Sequence, residues 1–452
     1  MTPSKSTLVA SALVVNGLML SPLAAAATTV EFWTAQTQSD RMQTIQVLAS
    51  TFEALNQGIS VKVVPVDENE MATQMAAAVA AGTQPNLIEV NSEIIMAFGE
   101  EGIVDADLHQ QVLNDIGAER FHEGALTSLK SPNNTYYGLP YHGWIQGIWY
   151  RTDWFEEAGL EPPTTWESIE AAAEALTDRR ANQYGILVGT KQDSYTEQVF
   201  TQLALSNDAQ QFDAEGNLVF NSPAMLETLE FYNRLAQYNP PGPQNWRARD
   251  YYMQGKMGMF FYSSYIMDDL ALAEVAKGSL TAENFKDLVG GTFDPELVKK
   301  TGFAPIITHK SPSSYGTISG LVALDAGSDE QAQATAKFME FLYEPASYIS
   351  FLHMAPGGMN PMLKGIAEDP VYLNDPNGVF ELYGPEKMTQ IVSGFEDIRS
   401  FSVVEGRTFP KSGEIFSKSV IPRMVYSVAI EGQDPQAALD EAEQEMQAIV
   451  GE

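Results

Sequence analysis

From Thr28 the chain alternates between two hydrophobic periods. "TTVEFWTA" is a short alternating run ending in aromatics, which predicts a strand. "SDRMQTIQVLASTFEALNQG" then places Met42, Ile45, Leu48, Phe52 and Leu55 three or four residues apart. That spacing predicts a helix, with Ser39 or Asp40 as its cap and Gly58 as its stop. "ISVKVVPV" predicts a second strand, "EMATQMAAAVAAG" a helix ended by Gly82, and "PNLIEVNS" a third strand. This alternation with short connections predicts a parallel sheet with helices on its faces. Ligands of such sheets sit at the carboxyl ends of the strands. Here those ends are Trp33 and Thr34, residues 66–69 with Asn69, and residues 89–92 with Glu89 and Asn91.

From Tyr136 the pattern changes. "YYGLPYHGWIQGIWY" alternates and is rich in β-formers, so it predicts an extended strand able to leave one domain and enter another. "TDWFEEAGL" predicts a short helix with Asp153 as cap and Gly159 as stop. "PPTTWESIEAAAEAL" repeats the pattern, with Thr164 and Glu167 as a capping box. "YGILVGT" and "KMGMFFYS" predict strands, with a helix from about Arg247 to Gly255 before the second of these. An acidic, helix-prone insertion spans about 270–300. "GFAPIIT" and "GTISGLVALD" follow as extended segments. "DEQAQATAKFMEFLYEPASYISFLHM" reads as one helix, and the tail is mostly helical. No fixed-period repeat or low-complexity linker is visible, so strand crossovers must mark the domain boundary.

Composition narrows the class. The chain has 452 residues, 44% hydrophobic and 19% charged, enough for two ordinary domains. Lys5, the apolar run "LVASALVVNGLML" and "SPLAAAA" form a secretory leader with cleavage near Ala26 or Ala27, so residues 1–27 are set aside as a signal peptide. The chain contains no cysteine. It therefore has no disulfide, no thiolate metal site and no cysteine for a lipid anchor, which fits a soluble periplasmic protein. The formal charge of -33 comes from 59 acidic and 26 basic residues spread along the chain. This argues against nucleic acid as a partner, because phosphates demand basic patches. It fits a solubility role or a high-salt habitat.

Several motifs then match a known family in order. "WYRTDWFEEAGLEPPTTWESIEAAAEAL" resembles the "A-G-L-x-x-P-P-x-T-W-x-E" signature of the large extracellular solute-binding proteins of ABC importers, the maltose-, multiple-sugar- and glycerol-3-phosphate-binding type. "YYMQGKMGMFF" is similar to that family's "F-x-x-G-K-x-A-M" turn, and "VEFWTA" to its first strand end. "AKFMEFLYEPASYISFLHMAPGGMNPM" resembles its "A-x-x-F-x-x-F-L…G-x-x-P" stretch. The resemblance implies an α/β, two-domain periplasmic-binding-protein fold, with a ligand cleft between domains joined by crossover strands. It implies one lobe of 28–140 plus 309–352 and a second of 141–308 plus 353–452. It also implies a monomer that delivers a small carbohydrate or polyol to the transmembrane subunits of a permease, without cofactor or metal.

A sugar-type cleft needs flat aromatic faces and polar groups able to grip hydroxyls. Trp144 and Trp149 are five apart, so they face opposite sides of one strand. Trp149 is assigned to the core, and Trp144 to the cleft with His142 and Gln146 beside it. Trp154 and Trp166 open helices and are structural. Trp246 is either loop packing or a wall of the cleft. Ser263, Ser264 and Tyr265 follow a strand end, where backbone donors collect. The resemblance adds Ser319 and Gly320 as a small-residue turn, and Met359 and Asn360 in a loop that closes over the cleft. Arg407 loosely aligns with an arginine of the glycerol-phosphate branch; its contact with ligand would favour an anionic solute, such as glycerol-3-phosphate, a glycerophosphodiester, a uronate or a sulfosugar. Thr34 stands where that branch has histidine. The five histidines form no metal or protease motif, and no nucleophile elbow or phosphate loop is present. An exported glycoside hydrolase is the rival outside the binding class, since it needs only two cleft carboxylates.

Overall fold

The structure, a computed structural model, describes residues 27–280, 292–325, 327–405 and 407–451. The leader up to residue 26 and residues 281–291 of the acidic insertion lie outside the described residues. In chain order the strands are β1 (Thr28–Thr34), β2 (Ile59–Pro65), β3 (Leu87–Asn91), β4 (Leu139–Arg151), β5 (Tyr184–Leu187), β6 (Met257–Ser263) and β7 (Thr301–Ala304). After them come β8 (Ile307–Thr308), β9 (Pro312–Ser313), β10 (Tyr315–Ala323), β11 (Asn360–Pro361), β12 (Val403–Val404) and β13 (Arg407–Thr408). One sheet runs in the order β2-β1-β3-β10-β4-β6-β5, with β7 and β11 also paired to β4. The strands β1, β2 and β3 are mutually parallel, as the alternation predicts. Helix Asp329–Tyr343 covers their inner face, where Phe338 meets Phe32 at 5.6 Å and Phe52 at 5.0 Å between ring centroids.

The fold is a two-lobe α/β architecture, and β4 is what joins the lobes. Its first half, from Leu139 to Gln146, pairs with β10. Its second half, from Gln146 to Arg151, pairs with β6 and β7. Nearly every residue of β4 is buried, which explains why its text carries few charges. β10 in turn pairs back to β3 through Ser319, Gly320, Leu321, Val322 and Ala323. β10 and β4 lie so close that a Cβ on Gly316 would stand 2.3 Å from the Trp144 carbonyl oxygen. A side chain there would push Trp144 and its neighbours out of register.

Four local expectations are corrected. The helix Ser39–Leu55 starts after Gln38, and no side chain caps it. The capping box of helix Trp166–Ala175 is Thr165 with Ser168, not Thr164 with Glu167. The Asp153 carboxylate grips Arg151 at 2.5 Å, and the residue at the cap position of helix Thr152–Ala158 is Arg151. The expected single helix after Ser328 is two, Asp329–Tyr343 and Pro345–Leu352. Glu344 between them is extended, because the residue before a proline is pushed out of the helical region.

The crossover is pinned by Asn360. Its Nδ2 lies 3.0 Å from Gly143 O, 2.9 Å from Ser264 Oγ and 2.8 Å from Gly357 O, all buried acceptors. Asn360→Ala leaves those acceptors without their donor and is expected to cost about 1–3 kcal/mol. Urea unfolding measures this directly; an unchanged midpoint and slope would show that the bonds are replaced by water.

Candidate functional site

The lobes and their crossover strands enclose a cavity of about 420 Å³, within the range of small-molecule sites. Its floor is made by Trp144 of β4 and by Tyr315, Gly316, Thr317 and Ile318 of β10. Trp144 and Thr317 are register partners, so both side chains leave the sheet on one face. The Trp144 and Tyr315 rings stand 6.1 Å apart at 56°, forming two walls of an open angle. The first lobe contributes Glu68, Asn91, Ser92, Glu93 and Ser128. Asn91 ends β3, and its Oδ1 accepts from Ile94 N to cap the next helix. This fixes its orientation at the cavity rim, with Nδ2 donating to Glu68 Oε1 at 2.7 Å. The second lobe contributes Glu197, Gln198 and Thr201 from helix Ser194–Ser206, the segment 398–403, and Ser412, Gly413 and Phe416.

The wall is acidic. Glu197 is only 4% exposed, and its Oε2 has no hydrogen-bond partner among the described residues. Burial raises its pKa to about 8, so at neutral pH it is mostly protonated. Glu93 keeps an exposed surface inside the cleft, yet the surrounding protein and the nearby Glu68 charge raise its pKa too. Burial, then Glu93 and Glu197, raise the Tyr315 phenol as well, which puts all three groups within electrostatic reach of one another. Among the described residues lining the cavity, Arg399 alone is basic. Its Nη1 donates to Leu205 O at 2.9 Å and lies 3.4 Å from Asp208, so its charge is already engaged.

Of the residues expected at a ligand site, Trp144 and Asn91 line this cavity. The others lie elsewhere. Glu89 is fully buried, and its oxygens serve the protein: Thr34 Oγ1 donates at 2.7 Å, Ala35 N at 3.1 Å and Gln36 Nε2 at 3.2 Å, with His142 Nε2 at 2.7 Å. Thr34 and His142 are thereby occupied as well. Trp33 donates its indole N–H to Glu31, and Asn69 binds the cap residue Asp67. Gln146 leaves the sheet on the same face as Trp144 but is fully buried against helix Ser194–Ser206, donating to Gln198 O and Gln202 Oε1. Trp246 packs on Tyr195 and Tyr262. Ser263 sits in β6 opposite Gln146, and Ser264 donates to Gly357 O. Tyr265 lies against Gly358, where a Cβ would come within 2.0 Å of its ring. Ser319 is paired in the sheet, and Gly320 gives room to Leu139 O and Ile95. Met359 and Asn360 are buried in the crossover. Arg407 is exposed and donates to Ala214 O, away from the cavity. Trp149 is 1% exposed and in the core, and Trp166 stacks between Phe231 and His309 at 4.1 Å from each.

The cavity also brings in Glu93, Glu197, Gln198, Tyr315 and Thr317, which were not among the residues expected from the sequence. One signal was available for Glu197. It is an acid among Tyr195, Val199 and Phe200 in a helix whose other positions from 195 to 206 are almost all buried. A charge there must face either a partner or a cavity.

A cavity of this size, lined by both aromatic and polar side chains between two lobes that share strands, fits a receptor for a small solute. The chain belongs to the bacterial extracellular solute-binding protein family, whose model matches residues 35–349. It is 28% identical over 423 residues to YcjN of Escherichia coli K12, assigned by its name to an ABC transporter as a periplasmic-binding protein. That alignment spans 93% of this chain and 92% of YcjN. It is 26% identical over 216 residues to a mannitol-binding protein of Pseudomonas aeruginosa, 46% of this chain and 48% of that one. The fold matches the sugar-binding protein MalE from Xanthomonas citri with a TM-score of 0.71 at 19% identity, over 94% of this chain and 98% of that one.

Proposed function

We propose that the chain is the periplasmic substrate-binding component of an ABC importer, and that it captures a polyhydroxylated solute such as a sugar, oligosaccharide, polyol or glycoside. The observation that carries this reading is the Trp144–Tyr315 angle beside Asn91, Gln198, Thr317 and the two glutamates: apolar faces for ring or chain carbons, polar groups for hydroxyls. The mannitol-binding relative, named for a linear polyol, agrees with it. In this reading a lobe of 28–140 with 309–352 and a lobe of 141–308 with 353–452 hinge about β4, β10 and β11. Closure presents both lobes to the transmembrane subunits of the permease, and the solute leaves chemically unchanged. The mature chain works as a monomer in the periplasm, freed of its signal peptide and without a lipid anchor. Micromolar affinity needs only ~8 kcal/mol, within reach of one aromatic contact and several hydrogen bonds.

The anionic alternative draws no support from the cavity wall. Arg407 lies outside it, Arg399 is engaged by Asp208, and three glutamates line it. The expected result of a thermal-shift screen over neutral sugars, polyols and their phosphates is a rise in Tm with unphosphorylated members only. Proton NMR of the best ligand after prolonged incubation should show it intact. A shift with phosphates alone, or turnover of a glycoside, would overturn the proposal.

A further inference from the structure

We infer that this cleft prefers solutes carrying a protonated amine beside their hydroxyls, an amino sugar or amino polyol, with Glu197 and Glu93 holding the ammonium between the Trp144 and Tyr315 rings. The inference rests on the proposed reading of the cavity as the solute site. Three observations carry it. First, the acidic wall is uncompensated. Among the described residues Glu68 takes a neutral amide hydrogen bond from Asn91, Glu93 and Glu197 have no basic partner, and the lining arginine is spent on Asp208 and Leu205. Second, Glu197 lines the cavity while more than nine-tenths buried and with one oxygen unpartnered among the described residues, an arrangement that costs free energy and that a donor bound to the carboxyl group would offset. A charged donor relieves it most, because charge-assisted bonds are about twice as strong as neutral ones. Third, two aromatic rings flank the same space, and an ammonium within about 6 Å of a ring face is attracted by its quadrupole.

A metal ion is a poorer occupant. Among the described residues no three histidine, aspartate or glutamate side chains converge as ligands for one. An ammonium needs only two carboxylates and brings its own three donors. Its charge also favours the ionised form of Glu197, which gives up its proton to solvent on binding.

Matched pairs test this: glucosamine against glucose, and 1-amino-1-deoxysorbitol against sorbitol, with gluconate as the anionic probe, all titrated calorimetrically into the full mature chain at pH 7. The expected result is at least about tenfold tighter binding of the amine in a pair, with gluconate not bound. Glu197→Gln should bring that ratio toward one, and Glu93→Gln should lower it partway, each in a variant whose thermal melt is still cooperative. Equal or tighter binding of the neutral member overturns the inference, as does an amine preference that neither substitution moves. If neutral members bind and Trp144→Ala weakens them, only the amine preference falls. If no pair binds at all, or Trp144→Ala changes nothing, the cavity reading falls with it.

Discussion

Replacing Glu89 with alanine should lower the unfolding free energy by about 3–5 kcal/mol, because it leaves several buried hydrogen-bond donors unsatisfied at about 1–3 kcal/mol each. The side chain is fully buried where β1, β3 and β4 meet. Four groups depend on it: the Thr34 hydroxyl, the Ala35 amide, the Gln36 side chain and His142. Removing the carboxylate orphans donors from two segments at once, the Thr34–Gln36 stretch after β1 and His142 of β4. Thr34→Val removes a single donor and should cost less, about 1 kcal/mol. Urea denaturation of the three proteins measures both differences. A loss for Glu89→Ala no larger than for Thr34→Val would mean that Glu89 is not the centre of this network.

The same residue sets a pH dependence. Burial pushes the Glu89 pKa up, but the hydrogen bond and charge of His142, with Thr34 and Gln36, outweigh it and leave the pKa below its ordinary 4.5. A carboxyl with a lowered folded pKa contributes stability that is fully present above the unfolded value and is lost as pH falls through the folded one. The wild-type protein should therefore lose Tm below about pH 4.5, and the gap between it and Glu89→Gln should narrow there. A gap that stays constant from pH 7 to pH 3 would contradict the assignment.

Much of this was legible in the hydrophobic periods. The strand–helix alternation from Thr28 to Ser92 gave the parallel half of the sheet because each element buries one clear face. Strand alternation put Trp144 and Trp149 on opposite faces, and Trp149, deeper in the strand, is in the core while Trp144 lines the cavity. The motif order pointed to the family that the residue 35–349 match then established. The site was harder to read, because strand ends carry polar residues for two different reasons. Glu89 and Asn91 look equivalent in the sequence, yet Glu89 closes a buried network while Asn91 caps a helix at the rim. Which of them meets the cavity depends on what His142 does 53 residues away, and spacing does not encode that. Tyr315 was hidden for a similar reason: its role follows from pairing with β4, a contact between distant parts of the chain. Arg407 was singled out by its loose alignment with an arginine of the glycerol-phosphate branch, but in β13, paired with β12, it donates to Ala214 O away from the cleft.

Trp144→Ala is the second large effect. The ring is half-buried, forms the floor of the cavity and meets Tyr315 at 6.1 Å. Truncation removes the apolar face on which a solute's carbons would lie, and it also opens the angle with Tyr315. The expected loss is about 1–3 kcal/mol of binding free energy, roughly 5- to 150-fold in Kd. Stability should suffer less than affinity, because one side of the ring already faces the cavity. Trp154→Phe is the matched control: its ring sits under the Arg151 guanidinium at 4.8 Å, outside the cavity, and its affinity should stay within about threefold of wild type.

The most direct test of the account is calorimetric titration of wild type, Trp144→Ala and Trp154→Phe with the tightest ligand from the thermal-shift screen. The account predicts one-to-one binding in all three, weakened at least about fivefold in Trp144→Ala alone. Unchanged affinity in a folded Trp144→Ala protein would contradict it, and would place the solute somewhere other than this cleft.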